Sequence, residues 1–167
     1  MTTPPDGAGA DPARVYRDTI GRFATGVTVV TATGPGGPAG MTTNAVTSLS
    51  LEPRLLLVCF ELRSRTLEVV RGARRFAVNI LRADDADLAA VFASKVVGPQ
   101  KFADVTHTEE HGVPVLDRAL AWIACDLLEL RPGGDHEIGI GRVLGTGSGA
   151  PGPPLVFFGG RYTTIAG

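Results

Sequence analysis

The residues of this chain best suited to bind a ligand lie in Gly40–Ser50, Gly-Met-Thr-Thr-Asn-Ala-Val-Thr-Ser-Leu-Ser. Five hydroxyl side chains and one amide fall within these eleven residues, just before an apolar run. Hydroxyls and backbone N–H groups bind phosphate and sugar-alcohol oxygens without needing net positive charge. A threonine-rich edge strand is the competing reading, because Thr favours strands, and composition leaves both open. A second candidate is Ser64-Arg65-Thr66, preceded by Arg63. A helix start with free N–H groups, a hydroxyl and a guanidinium suits an anion. Simple capping with solvated arginines accounts for the same residues.

Other chemistries find little support. Ser48 and Ser50 lack the Gly-x-Ser-x-Gly elbow of a hydrolase nucleophile. His107 and His111 are four apart, but Gly112 and Pro114 oppose the helix that a metal pair would need, and no metal site is expected. His136 stands in Gly-Asp-His-Glu at the exit of a turn, where it either braces the turn or offers an imidazole to a ligand. Cys59 and Cys125 sit in apolar runs outside any Cys-x-x-Cys pair, which reads as buried free thiols in a reducing cytoplasm. Gly34–Gly40 contains two prolines and leads into a strand, and Gly139-Ile-Gly141 lies inside a strand pattern. Neither provides the strand-to-helix glycine turn of a dinucleotide-binding fold.

The elements that must position these residues follow from pattern. Asp11-Pro12 reads as an N-cap and first helical residue, with Val15, Thr19, Ile20 and Phe23 as a buried face. Val27–Thr33 is β-branched throughout except Ala32 and reads as a strand. It turns at Gly34–Pro38 into a hairpin with a strand running from Ala39 to about Ser50. Leu55–Phe60, apolar on both faces, reads as a central strand. A short helix then carries Leu67 and Val70, with Ser64 or Thr66 as its cap. Phe76–Leu81 is a strand, and Asp84–Phe92 a helix with Leu88, Val91 and Phe92 on one side. Val96–Gly112 is polar and irregular. Ala119–Leu130 and Glu137–Val143 form a second hairpin around Arg131-Pro-Gly-Gly134. Leu144–Pro154 reads as a loop and Leu155–Tyr162 as the last strand. About six strands and three helices without regular alternation argue against a doubly wound parallel sheet and favour a mainly antiparallel barrel.

Composition sets the outer bounds. A chain of 167 residues predicts one domain over residues 11–167, behind a disordered arm at 1–10. The net charge of -1 gives no electrostatic case for nucleic acid. Two of the 16 basic residues are lysines, Lys95 and Lys101. GC-rich coding explains that arginine excess as well as a phosphate-binding surface does. Leu55–Phe60, the longest apolar run, is too short for a bilayer, and the N-terminus lacks a signal-peptide pattern. A cytoplasmic protein without membrane partners is expected.

Five stretches then occur in order: Phe23-Ala-Thr-Gly-Val-Thr-Val-Val30, Gly40–Leu51 with Glu52-Pro53, Phe76-Ala-Val-Asn-Ile-Leu81, Gly134-Asp-His-Glu-Ile-Gly-Ile-Gly-Arg-Val143 and Pro154-Leu-Val-Phe-Phe-Gly-Gly-Arg-Tyr162. Together they resemble the short-chain flavin reductases of two-component monooxygenases, which share the FMN-binding split-barrel fold. The resemblance covers about residues 14–163, and Arg54 departs from it where the family often has a second proline. It implies an antiparallel split β-barrel with short flanking helices. It also implies a homodimer that reduces FMN, or FAD, with NADH or NADPH and supplies a monooxygenase with reduced flavin. By the same resemblance Thr43, Asn44, Ala45 and Val46 would line the flavin ring. Ser48 and Ser50 would reach its phosphate, closed in by Arg63, Ser64 and Thr66. Lys101 and Phe102 would approach the flavin, and His136, Arg161 and Tyr162 would lie on the nicotinamide side. A non-catalytic flavin-binding or redox-sensing split-barrel protein is the alternative.

Overall fold

A computed structural model describes residues 11–96 and 98–165; the arm expected at 1–10 lies outside the described residues. Helix α1 (Pro12–Ile20) starts as its sequence dictates, with Asp11 Oδ1 accepting the Ala13 N–H at 3.1 Å and proline in the first turn. Strands β1 (Thr25–Gly26), β2 (Thr28–Gly34), β3 (Gly37–Thr43), β4 (Val46–Leu51) and β5 (Arg54–Glu61) precede α2 (Arg65–Ala73). Then come β6 (Arg75–Ile80), α3 (Ala86–Ala93) and a 3-10 turn over Gly98–Phe102. The chain ends with β7 (His107–Glu110), β8 (Val113–Leu116), β9 (Ala121–Gly133), β10 (His136–Ser148), β11 (Leu155–Phe158) and β12 (Arg161–Thr164).

Seven strands pair antiparallel in the order β3-β2-β6-β9-β10-β5-β4. β3 and β4 follow each other in sequence yet form opposite edges, joined only through Asn44 and Ala45. The sheet must therefore curl until its two edges meet. No ladder bonds join those edges, so the barrel is split. Ala45 secures the joint: its N–H donates to Thr43 Oγ1 at 3.1 Å, and its carbonyl accepts the Cys59 N–H at 3.0 Å. A small sheet, β1-β11-β12, is fastened to the barrel by three backbone bonds. Val27 donates to Leu155, Leu81 to Val27 and Leu155 to Leu81, at 3.0–3.1 Å.

Side chains alternate along a strand, and β2 is buried on both faces because both are covered. Val30 and Ala32 face the barrel interior with Val58, Phe60, Phe76 and Leu127, capped by Leu67 and Val70 of α2. Val29, with Val27 just before the strand, packs outward against Leu88, Ala89 and Phe92 of α3. Buried Asn79 pins β8 onto this outer face. Its Nδ2 donates to the Val29 carbonyl at 3.0 Å and to Thr31 Oγ1 at 3.1 Å, and its Oδ1 accepts the Leu116 N–H at 2.9 Å. A buried amide satisfied on both sides fixes geometry without leaving an orphan group.

Several expectations change. The strand expected from Ala39 to Ser50 is two strands, because the chain crosses the barrel opening at Asn44-Ala45. Leu155–Tyr162 is likewise two strands, turned by Gly159 and Gly160 with φ of 57° and 78°, a region open to glycine. β10 runs on to Ser148 through the expected loop, and Val96–Gly112 contains the 3-10 turn and β7. Ser64 occupies the N-cap of α2 but makes no side-chain cap. The face expected to bury Val15, Thr19, Ile20 and Phe23 is exposed in this chain, with Ile20 at 49% and Phe23 at 69%. Amphipathic spacing reports that a face needs covering, not which chain covers it.

Gly139-Ile-Gly141 now has a physical explanation. A Cβ on Gly139 would stand 2.7 Å from the Phe60 ring, and one on Gly141 2.7 Å from Phe76 and 2.9 Å from the Cys125 Cβ. The glycines clear space for the edge-to-face pair Phe60–Phe76, whose centroids lie 6.0 Å apart. Overpacking a core costs about 1–3 kcal/mol, so Gly141→Ala should lower the Tm by roughly 2–12 °C. Gly36→Ala, where nothing lies within 4 Å, should leave it nearly unchanged. Thermal unfolding of both variants checks the assignment.

Candidate functional site

A cavity of about 490 Å³ opens between β3, the start of α2, the end of α3 and the 3-10 turn. Gly40, Met41 and Thr42 of β3 form one wall. Arg63, Ser64, Arg65 and Thr66 form another, with Glu61 beside them. Ala93–Val96, Gly98 and Lys101 complete it. Local bonding builds these walls. Thr42 Oγ1 donates to the Ala89 carbonyl at 2.6 Å, fixing β3 to α3. The Ser64 hydroxyl turns to Met41 Sδ at 3.1 Å instead of capping α2. The first N–H groups of that nine-residue helix therefore remain available to a ligand at its positive end.

The electrostatics are one-sided. Arg63, Arg65, Lys95 and Lys101 line the cavity against one carboxylate, Glu61. None of these five forms an ion pair among the described residues. Lys101 is buried at 8% exposure. Burial, helped by the neighbouring Arg65 charge, pulls its pKa below the usual lysine range. A cavity with four cations, a helix start and the buried Thr66 hydroxyl fits a phosphate-bearing ligand by its donor chemistry alone.

The structure divides the residues expected from sequence. Arg63, Ser64, Thr66 and Lys101 share this cavity, and Phe102 is buried behind it with its ring edge against Phe92 at 5.1 Å. Thr43, Asn44, Ala45 and Val46 sit at the barrel joint. The Thr43 carbonyl accepts from Thr28 Oγ1 at 2.8 Å, and Asn44 Nδ2 donates to Thr25 Oγ1 at 3.0 Å. Asn44 and Arg161 line a second cavity, of about 680 Å³, with Phe23 and Phe158. Tyr162 packs its ring against Phe157 at 5.9 Å. Ser48 and Ser50 lie on edge strand β4, on either side of a register shift, and line neither cavity. His136 begins β10 opposite Glu61, with its Nδ1 2.7 Å from Asp135 Oδ1. The Asp135 carbonyl accepts the Leu62 N–H at 3.0 Å, which fixes the turn to the segment carrying Arg63.

Sequence reasoning offered Arg65 only as an alternative to Arg63, and did not assign Thr42 or Lys95 to the site. Thr42 and Arg65 stand inside the two motifs already singled out, whereas Lys95 has no local signal and reaches the cavity only because α3 ends there. The thiols take no part. Burial pushes the Cys59 pKa up, and that of Cys125 up to about 12, with Asp126 adding to the second shift. The described residues contain no group of three or more His, Cys, Asp or Glu side chains placed to hold a metal ion. None of their helices is long and apolar enough to cross a membrane.

The chain is 43% identical, over 148 residues, to the reductase component of 4-nitrophenol 4-monooxygenase/4-nitrocatechol 2-monooxygenase from Rhodococcus opacus, covering 88% of this chain and 78% of that protein. It is 38% identical over 155 residues to the FMN reductase (NADH) SmoA of Agrobacterium fabrum, covering 92% and 87%. Its fold superposes on the Streptomyces globisporus NADH:FAD oxidoreductase SgcE6, solved in complex with NAD and FAD fragments. That superposition has a TM-score of 0.86 at 35% identity and covers 96% and 98% of the two chains. Residues 20–166 match the model of the flavin reductase like domain, and the chain belongs to that family.

Proposed function

We propose that this protein is an NAD(P)H:flavin oxidoreductase that moves hydride from NADH or NADPH to FMN or FAD and supplies reduced flavin to a flavin-dependent monooxygenase. The observation that carries the reading is the cavity itself, where unpaired cations and a bare helix start adjoin the hydroxyl-rich segment in a chain of this family. A bound flavin supplies the hydride acceptor, which requires no protein nucleophile; the chain's own residues bind and orient. Arg63, Arg65, Ser64, Thr66 and the first N–H groups of α2 hold the phosphate. Thr43, Asn44, Ala45 and Val46 line the ring at the barrel joint, with Lys101 and Phe102 behind. His136 meets the nicotinamide nucleotide through Nε2, since Asp135 occupies Nδ1, and Arg161 and Tyr162 act on the same side. Aligning donor and acceptor supplies the rate enhancement.

A homodimer in the cytoplasm completes the reading. Arg161 lines a different cavity from Arg63 within one chain, and the exposed face of α1 with Phe23 needs a cover. A second copy answers both.

The activity is tested by following loss of nicotinamide absorbance with FMN, FAD and riboflavin, using NADH and NADPH in turn. Flavin-dependent oxidation is expected; flavin binding without oxidation would favour a binding or sensing role. For the phosphate, Arg63→Ala should weaken FMN at least tenfold more than riboflavin, since a bond to a charged group contributes about 1.5–3 kcal/mol. Ser48→Ala tests the other placement: a comparable FMN-selective loss would put the phosphate across the β4 edge. His136→Ala should raise the KM for the nicotinamide nucleotide several-fold and leave the FMN Kd nearly unchanged. A lowered Tm with unchanged KM would reduce His136 to a brace of the Arg131–Asp135 turn.

A further inference from the structure

Met41 is the one methionine among the described residues, and it lines the cavity. It stands on β3 opposite Val30, half-buried and packed on the core that holds Leu67 and Val70 of α2. Its Sδ accepts the Ser64 hydroxyl at 3.1 Å. Ser64 is the N-cap residue of α2 yet makes no side-chain cap. The Leu67 N–H donates to the Ser64 carbonyl at 3.1 Å, while no backbone carbonyl takes the N–H groups of Arg65 and Thr66. The sulfur is therefore bonded to the residue that begins the helix, beside donors with no partner of their own.

A thioether is a weak acceptor, whereas its sulfoxide is polar and carries a strong acceptor oxygen. Placed on Sδ, that oxygen takes the Ser64 hydroxyl and competes for the bare N–H groups of α2. The thiols are poor rivals for an oxidant. Burial raises the pKa of both Cys59 and Cys125, which keeps them protonated, and the thiolate is the reactive form. A thioether needs no deprotonation.

We propose that Met41 is a peroxide-sensitive modification site whose oxidation closes the cavity to phosphorylated flavins. The proposal rests on the flavin-reductase reading of this cavity. Reduced flavin that meets no monooxygenase passes a hydride equivalent and a proton to dioxygen, giving oxidised flavin and hydrogen peroxide. The Met41 sulfur lone pair attacks one peroxide oxygen, and the O–O bond breaks. The departing hydroxide takes the proton from the oxygen left on sulfur, so the products are methionine sulfoxide and water. Sulfur is oxidised and the peroxide reduced. Surplus reduced flavin thus shuts the site that produces it.

The test treats the full chain, as wild type and Met41→Leu, with hydrogen peroxide. Peptide masses locate the added oxygen, and Kd values for FMN and riboflavin are measured before and after. In the wild type, Met41 should gain one oxygen atom, more slowly with FMN bound. The FMN Kd should then rise by about tenfold or more, since bonds to a charged group are lost, with a much smaller change for riboflavin. Methionine sulfoxide reductase should restore the first value, a control that needs no variant. Met41→Leu, a swap of similar volume, should keep its own untreated FMN Kd. No oxygen on Met41, an unchanged FMN Kd after its oxidation, an equal loss for both flavins, or the same loss in Met41→Leu would overturn the proposal. Untreated wild type that reduces flavin with NADH but gives any of these results would refute the role of Met41 alone. Untreated wild type that neither binds nor reduces any flavin would refute the functional reading beneath it.

Discussion

Two residues, Asn44 and Ala45, join strands that belong to opposite edges of one seven-stranded sheet. That joint forces the sheet to curl and leaves an opening where the edges meet. An edge strand ordinarily exposes unpaired backbone groups. Here the opening is flanked by the segment richest in hydroxyls, and α2, α3 and the 3-10 turn stand around the neighbouring β3 wall. The barrel interior is packed solid with Phe60, Phe76 and Leu127, so a ligand must sit outside it. The candidate cavity accordingly lies outside the barrel, against the β3 edge of the split.

The charge distribution sharpens the picture. Away from the cavity, several arginines have carboxylate partners: Arg71 with Glu137 at 2.7 Å, Arg75 and Arg142 with Asp126 at 2.9 and 3.2 Å, and Arg118 with Asp85 at 2.6 Å. Asp85 is buried, and desolvation raises its pKa against the opposing pull of Arg82 and Arg118. At the cavity the same chain leaves its cations without partners. A near-neutral protein can still present a strongly positive site if its acids are placed elsewhere. Among these cations only Lys101 is buried, and a buried ammonium without a carboxylate partner marks a candidate anion site.

Glycine serves clearance in this fold, not phosphate binding. Gly139 and Gly141 sit where the rings of Phe60 and Phe76 cross the barrel. The phosphate donors we propose come instead from a helix start and side chains. A nicotinamide-dependent enzyme without a glycine-rich dinucleotide turn is consistent physically, because hydride transfer asks the protein only to hold two rings in register.

Local chemistry determined much of this from sequence alone. The Asp11-Pro12 helix start, the β2–β3 hairpin, the β9–β10 hairpin and the hydroxyl-rich segment all arise from interactions between near neighbours. The order of five motifs carried the family because motif order survives where single motifs are weak. Tertiary structure decided the rest. Whether Gly40–Ser50 was one strand or two depended on sheet edges that only the whole barrel brings together. Lys95 joined Arg63 because α3 happens to end beside α2, a contact across about thirty residues that no local pattern encodes. Ser48 and Ser50 parted from Ser64 and Thr66 because β4 is the sheet edge opposite the β3 wall of the cavity. The apolar face of α1 was legible as a face, but a single chain's sequence specifies only that such a surface must be covered, not by what.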